Sequence, residues 1–127
     1  MSSSKRLILS IDDSRAVHAF LDQCLRDGGD GFEFVHAMGV KEGLGILKER
    51  GDFISLILLD WEMPEVTGFD GLPMLLSQSP RTPVVVLTSK NNPEDITVML
   101  ERGAKEYMMK PFTPDILFEK IKGVLGE

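Results

Sequence analysis

Short apolar runs alternate with amphipathic stretches five times along this chain. Continuous runs such as Leu7-Ile8-Leu9-Ser10-Ile11, Ile54-Ser55-Leu56-Ile57-Leu58-Leu59 and Val84-Val85-Val86-Leu87 fit strands buried on both faces of a parallel sheet. Strands are predicted over residues 6–12, 32–37, 53–60, 84–88 and 106–109, the second being less buried than the others. Between them lie helices. Residues 14–27 place Val17, Phe20, Leu21, Cys24 and Leu25 on one face. Asp27-Gly28-Gly29-Asp30-Gly31 then forms a turn. Residues 40–50 turn Leu44 and Leu47 inward, and Gly43 and Gly45 weaken that helix by about 1 kcal/mol each. The third helix is irregular. Pro73 predicts a late start near Asp70, with the proline inside the first turn. Asn92-Pro93-Glu94-Asp95 starts a fourth helix running to Arg102, and Thr113-Pro114-Asp115 starts a fifth. Five βα units predict a doubly wound α/β domain with helices on both faces.

Composition narrows the class. The 127 residues suit one domain with one core, and 43% hydrophobic with 27% charged residues is ordinary for a globular chain. A net charge of −6 argues against direct nucleic-acid binding. No run approaches the roughly 20 apolar residues of a membrane span. The five residues before Asp12 are too few for the apolar core of a secretory signal. One cysteine, Cys24, permits no internal disulfide and reads as core. A cytoplasmic chain is expected. His18 and His36 fall at no metal-ligand spacing with Cys24.

The candidate chemistry lies at the ends of the apolar runs. Asp12 and Asp13 follow the first, Asp60 ends the third, Thr88 the fourth and Lys110 the fifth. Ligands of open parallel sheets bind beyond the carboxyl ends of the strands, so these side chains should meet in one pocket. Three carboxylates, a hydroxyl and an ammonium suit a divalent cation and a phosphoryl group. Adjacent acids repel unless a cation lies between them, and hard cations prefer such oxygens. A carboxylate can also accept a phosphoryl group as a nucleophile. Taken singly, each residue has a plainer reading: a helix cap, a turn acid, a β-branched strand end, a solvated rim lysine.

The combination is specific. Ile11-Asp12-Asp13-Ser14, Leu59-Asp60-Trp61-Glu62-Met63-Pro64 with Gly68, Val86-Leu87-Thr88-Ser89 and Tyr107-Met108-Met109-Lys110-Pro111-Phe112 resemble the receiver domain of two-component response regulators, from Leu7 to Val124. The resemblance implies a flavodoxin-like sheet in the order 2-1-3-4-5 flanked by five helices, with residues 1–127 as a single receiver domain. It implies Asp60 as the phosphoacceptor. Asp13, Asp60 and the backbone carbonyl of Glu62 would be direct ligands of Mg²⁺ (or Mn²⁺), with Asp12 acting largely through water. Lys110 would bind the phosphoryl group, and Thr88 and Tyr107 would form the switch. The implied partners are a histidine kinase or phosphotransfer protein and a downstream protein or output domain. The chain would be a regulator that assists its own phosphoryl transfer and autodephosphorylation rather than an enzyme.

Two residues flanking the pocket depart from plain motif matching. Glu62 and Lys90 stand two positions past Asp60 and Thr88 and carry opposite charges. An ion pair across the pocket mouth is expected, which would lengthen the life of the phosphoryl group. An aspartyl phosphatase with Glu62 as general acid is the competing reading. The Asp12-Asp13 pair and the spacing from Tyr107 to Lys110 weigh against it. A cofactor carrier of the flavodoxin type would need a phosphate cradle where Asp12 and Asp13 would repel phosphate. Pro111 stands where a tight turn would accommodate a cis bond.

Overall fold

Alternate residues of a strand face opposite sides of its sheet, and here both sides are covered. A computed structural model describes residues 5–28 and 31–126. Its elements are β1 (Arg6–Ile11), α1 (Arg15–Gly28), β2 (Phe32–Ala37), α2 (Val40–Arg50), β3 (Ile54–Asp60), α3 (Gly68–Gln78), β4 (Val84–Thr88), α4 (Pro93–Glu101), β5 (Glu106–Met109) and α5 (Pro114–Leu125). The five strands are parallel in the order β2-β1-β3-β4-β5. This is a doubly wound, flavodoxin-like α/β fold. Gly29 and Asp30 of the expected turn lie outside the described residues.

Neighbours along each central strand serve different cores. Leu9, Ile11, Ile57, Leu59, Val84 and Val86 pack against Val40 and Leu47 of α2, Leu72 and Leu75 of α3, and Met99 of α4. Ile8, Leu56, Leu58, Val85 and Leu87 pack on the other side against Leu21 and Cys24 of α1 and Leu117 and Ile121 of α5. Each such side chain contributes about 1.5–3 kcal/mol on burial. β2 is an edge strand with a mixed burial pattern, less buried than β1, β3 and β4 as expected, but the short opposite edge strand β5 is less buried still, with Met108 its one buried residue. Among the described residues, no helix is long and apolar enough to cross a membrane.

Several expectations need correction. Phe53 is not in the third strand: Gly51–Phe53 form a single 3₁₀ turn, and Phe53 is 71% exposed. Phe20 does not join the core of α1; it stays partly exposed, edge-on to Phe112 at 5.5 Å. α3 begins at Gly68, two residues earlier than its proline suggests. The Thr67 side chain caps it by accepting a hydrogen bond from the Asp70 backbone N–H. Pro73 therefore lies beyond the first turn, and the carbonyl of Phe69 loses its usual helical donor. Arg102 replaces it, its Nε donating to the Phe69 oxygen at 3.1 Å while its guanidinium lies 3.7 Å over the Phe69 ring.

Candidate functional site

The strand order reverses between β1 and β3, the place where sheets of this kind bind ligands. Backbone hydrogen bonds run one residue past the strands there. The Asp12 N–H donates to Ala37, Trp61 to Leu87 and Lys110 to Thr88, at 3.1, 2.9 and 2.8 Å. These bonds seat Asp12, Asp60, Thr88 and Lys110 along one edge of the sheet. The Lys110–Pro111 peptide bond is cis.

The Lys110 Nζ bridges Asp12 and Asp60 at 3.1 Å each. Asp12 also accepts from the Ser14 backbone N–H at 2.9 Å, and Asp60 from the Glu62 N–H at 3.2 Å. Asp12 and Asp60 are buried, whereas Asp13 is exposed. Oxygens from the three carboxylates lie within 4.8 Å of one another. One ammonium cannot neutralise three carboxylates, so the cluster is anionic and built from hard oxygen donors. That fits a divalent cation with affinity for oxygen. Ser14 caps α1, its hydroxyl accepting from the Val17 N–H at 3.2 Å. The cap and the acidic pair thus coexist, because neighbouring residues perform them.

Electrostatics follow from this crowding. Burial and the charge of Asp12 push the Asp60 carboxyl up to about 6, against the pull of Lys110 and the Glu62 N–H. Burial disfavours the Lys110 ammonium, but the charges of Asp60 and Asp12 outweigh it and hold its titration above the usual lysine value.

Glu62 does not meet Lys90. Among the described residues no ion pair joins them. The Glu62 carboxylate instead accepts from the Thr88 hydroxyl at 2.7 Å, the Ser89 N–H at 3.1 Å and the Ser89 hydroxyl at 3.0 Å. Burial pushes the Glu62 carboxyl up. The bonds from Thr88 and Ser89 and the charge of Lys110 overcome that and hold it below the ordinary glutamate range. Lys90 contributes its backbone N–H, which donates to the Thr88 oxygen at 2.9 Å.

These arrangements coincide with a known group. The family model described as "Response regulator receiver domain" matches residues 8–122. The chain is a response regulator receiver domain. It is 36% identical over 118 residues to the transcriptional regulatory protein CpxR of Escherichia coli K12, covering 93% of this chain and 48% of that protein. It thus spans about half the length of such relatives. It is 29% identical over 123 residues to chemotaxis protein CheY1 of Helicobacter pylori, covering 94% of this chain and 96% of that one. A CheY-like receiver domain from Methanospirillum hungatei superposes with a TM-score of 0.85 at 31% identity, over 97% of this chain and 95% of that one.

In this receiver domain Tyr107 lies outside the acidic cluster. It is half-buried on β5 against the core shared with α2, α3 and α4, with the Lys120 Nζ 5.4 Å from its ring centre. Two site residues escaped sequence reasoning. The first is His18, buried beneath the β1–α1 turn. Its Nε2 lies 2.8 Å from the Asp12 carbonyl oxygen and its Nδ1 3.3 Å from the Ser10 hydroxyl. A carbonyl only accepts, so Nε2 carries the proton. The available signal was spacing: His18 stands three before Leu21, on the inward face of α1. The second is Ser89, which the sequence offered only as the last residue of the Val86-Leu87-Thr88-Ser89 motif and which donates twice to Glu62.

Proposed function

We propose that Asp60 accepts a phosphoryl group from a histidine kinase or phosphotransfer protein, and that the domain, a single receiver unit, then changes its binding to a downstream protein or output domain. The observation that carries this reading is the convergence of Asp12, Asp13 and Asp60 with Lys110 bridging two of them. An Asp60 carboxylate oxygen attacks phosphorus, the donor's N–P bond breaks, and the departing imidazole takes up a proton. Lys110 moves from its two carboxylates to a phosphoryl oxygen, and the Thr88 hydroxyl donates to another. Asp13, Asp60 and the Glu62 backbone carbonyl would hold Mg²⁺ (or Mn²⁺), with Asp12 acting through water; when bound, the cation offsets the negative charge of the transferring oxygens. Tyr107 follows Thr88 and carries the change to the α4–β5–α5 face.

A phosphatase using Glu62 as general acid would need that carboxyl protonated near neutral pH. Its hydrogen bonds favour the opposite state. The domain instead assists its own phosphorylation and autodephosphorylation. Glu62 and Lys90 flank the acceptor and set how long the phosphoryl group survives.

Trp61 provides the test. It adjoins Asp60, is 8% exposed and packs edge-on to Phe69. Its fluorescence should change on adding Mg²⁺ and change again on adding acetyl phosphate. Asp60→Asn should abolish the second change. An unmutated protein that gives no second change, and no phosphoryl adduct by intact mass, contradicts the proposal.

A further inference from the structure

We propose that the Glu62 side chain is a latch: it holds the Thr88 hydroxyl and the loop after β4 in the unphosphorylated arrangement, and phosphorylation must draw Thr88 away from it. This rests on the function proposed above and adds a restraint particular to this chain. The Thr88 oxygen carries one proton. That proton is donated to the Glu62 carboxylate at 2.7 Å, so it cannot at the same time serve a phosphoryl oxygen on Asp60. Thr88 is fully buried, which denies it water as a substitute partner. The other Glu62 oxygen takes both donors of Ser89, at 3.1 Å from the backbone N–H and 3.0 Å from the hydroxyl. The latch therefore fixes the first residue of the loop that leads to the Asn92 cap of α4. Releasing Thr88 frees one side of this loop and exchanges one anionic acceptor for another.

An acid beside the acceptor also repels an anionic donor, and the test must separate the two effects. The experiment uses the full chain with four substitution patterns: Glu62→Ala, Glu62→Gln, Thr88→Val and the double variant Glu62→Ala with Thr88→Val. Alanine keeps the backbone carbonyl at position 62. Phosphoryl occupancy of Asp60 is read by intact mass across acetyl phosphate concentrations with Mg²⁺. Exchange of the Ser89 amide is read by NMR in the metal-free, unphosphorylated protein.

Glu62→Ala should lower the half-maximal donor concentration by roughly tenfold or more, as loss of a hydrogen bond to a charged acceptor allows. Glu62→Gln should lower it less, since an amide still offers one oxygen. In the Thr88→Val background the same Glu62→Ala change should shift the midpoint by less than about twofold, because no hydroxyl remains to release. Ser89 amide exchange should speed up in Glu62→Ala. Equal shifts in the two backgrounds would assign the effect to repulsion and overturn the latch, as would no shift at all or unchanged Ser89 exchange. If the unmutated protein takes no phosphoryl group, the proposed function falls and the competition for Thr88 falls with it. The Ser89 exchange still reports the contact in that case.

Discussion

At Asp60, burial and the Asp12 charge hold the carboxyl near 6, against 3.8 for an unperturbed aspartate. Between those values the folded protein keeps a proton that the unfolded chain has released. Stability therefore falls as pH rises through that window and levels off above it. Asp60→Asn should stabilise the metal-free protein at pH 7 by about 1–2 kcal/mol, with the gap closing as pH drops toward 4. Urea denaturation of both proteins at several pH values checks this; a gap that grows in acid would contradict it. Glu62 has the opposite sign. Its lowered value adds stability that is present at neutral pH and lost as acid protonates it. Which residue types end which strands was legible from the sequence, and the structure brings those residues to one edge. The partner of Glu62 was not legible. Opposite charge suggested Lys90, but an exposed pair is worth at most about 1 kcal/mol. Thr88 and Ser89 offer three donors within reach of the same carboxylate. Such a choice depends on side-chain rotamers, which periodicity does not describe.

Strands buried on both faces were the easiest elements to see, since an apolar run leaves few alternatives. The helices were harder where glycine and proline enter for packing rather than for turns. In α2, a Cβ on Gly43 would come within 2.5 Å of the Ile11 side chain, whereas one on Gly45 meets nothing within 4 Å. Propensity treats the two alike; the sheet behind them does not. Gly45→Ala should therefore stabilise the protein by up to about 1 kcal/mol, and Gly43→Ala should destabilise it by about 1–3 kcal/mol. Thermal midpoints moving in opposite directions would bear this out, and a shared direction would not. Gly68 has a functional counterpart to this role. A Cβ there would lie 2.7 Å from the Trp61 Cα, so glycine lets the start of α3 close over the residue after Asp60. The start of α3 was misjudged because the proline signal outweighed the quieter cap at Thr67. What lets Pro73 sit deeper is a residue from a distant segment. Removing Arg102 by Arg102→Ala should cost about 1–2 kcal/mol, because the Phe69 carbonyl loses its charged donor. Adding Pro73→Ala should recover part of that loss, since residue 73 would then supply the helical N–H. A double variant no more stable than Arg102→Ala alone would show that the carbonyl is not what Arg102 serves.

Over the whole molecule, five βα units announced two helical layers, but periodicity is silent on strand order. The order 2-1-3-4-5 was implied by the family resemblance, and the observed pairing agrees with it. That order decides the electrostatics, because it sets β1 beside β3 and so gathers Asp12, Asp13 and Asp60 in a chain already at −6. The metal-free fold carries this repulsion with one lysine as counter-charge. A cation that binds only the folded state stabilises it by mass action, about 1.4 kcal/mol at ten times its dissociation constant. For a domain of this size that is roughly a 5 °C rise in Tm. Mg²⁺ should produce such a rise where NaCl of equal ionic strength does not, since screening acts weakly on buried charges. Asp13 isolates the cause. Asp12 also holds the Ser14 N–H and Lys110, so removing it damages the fold, whereas Asp13 is exposed. Asp13→Ala should leave the metal-free Tm unchanged or slightly raised, as one of three repelling acids is gone, and should abolish most of the Mg²⁺ increment. A variant that keeps the full increment would place the cation elsewhere; one that loses several degrees without Mg²⁺ would make Asp13 a structural residue instead.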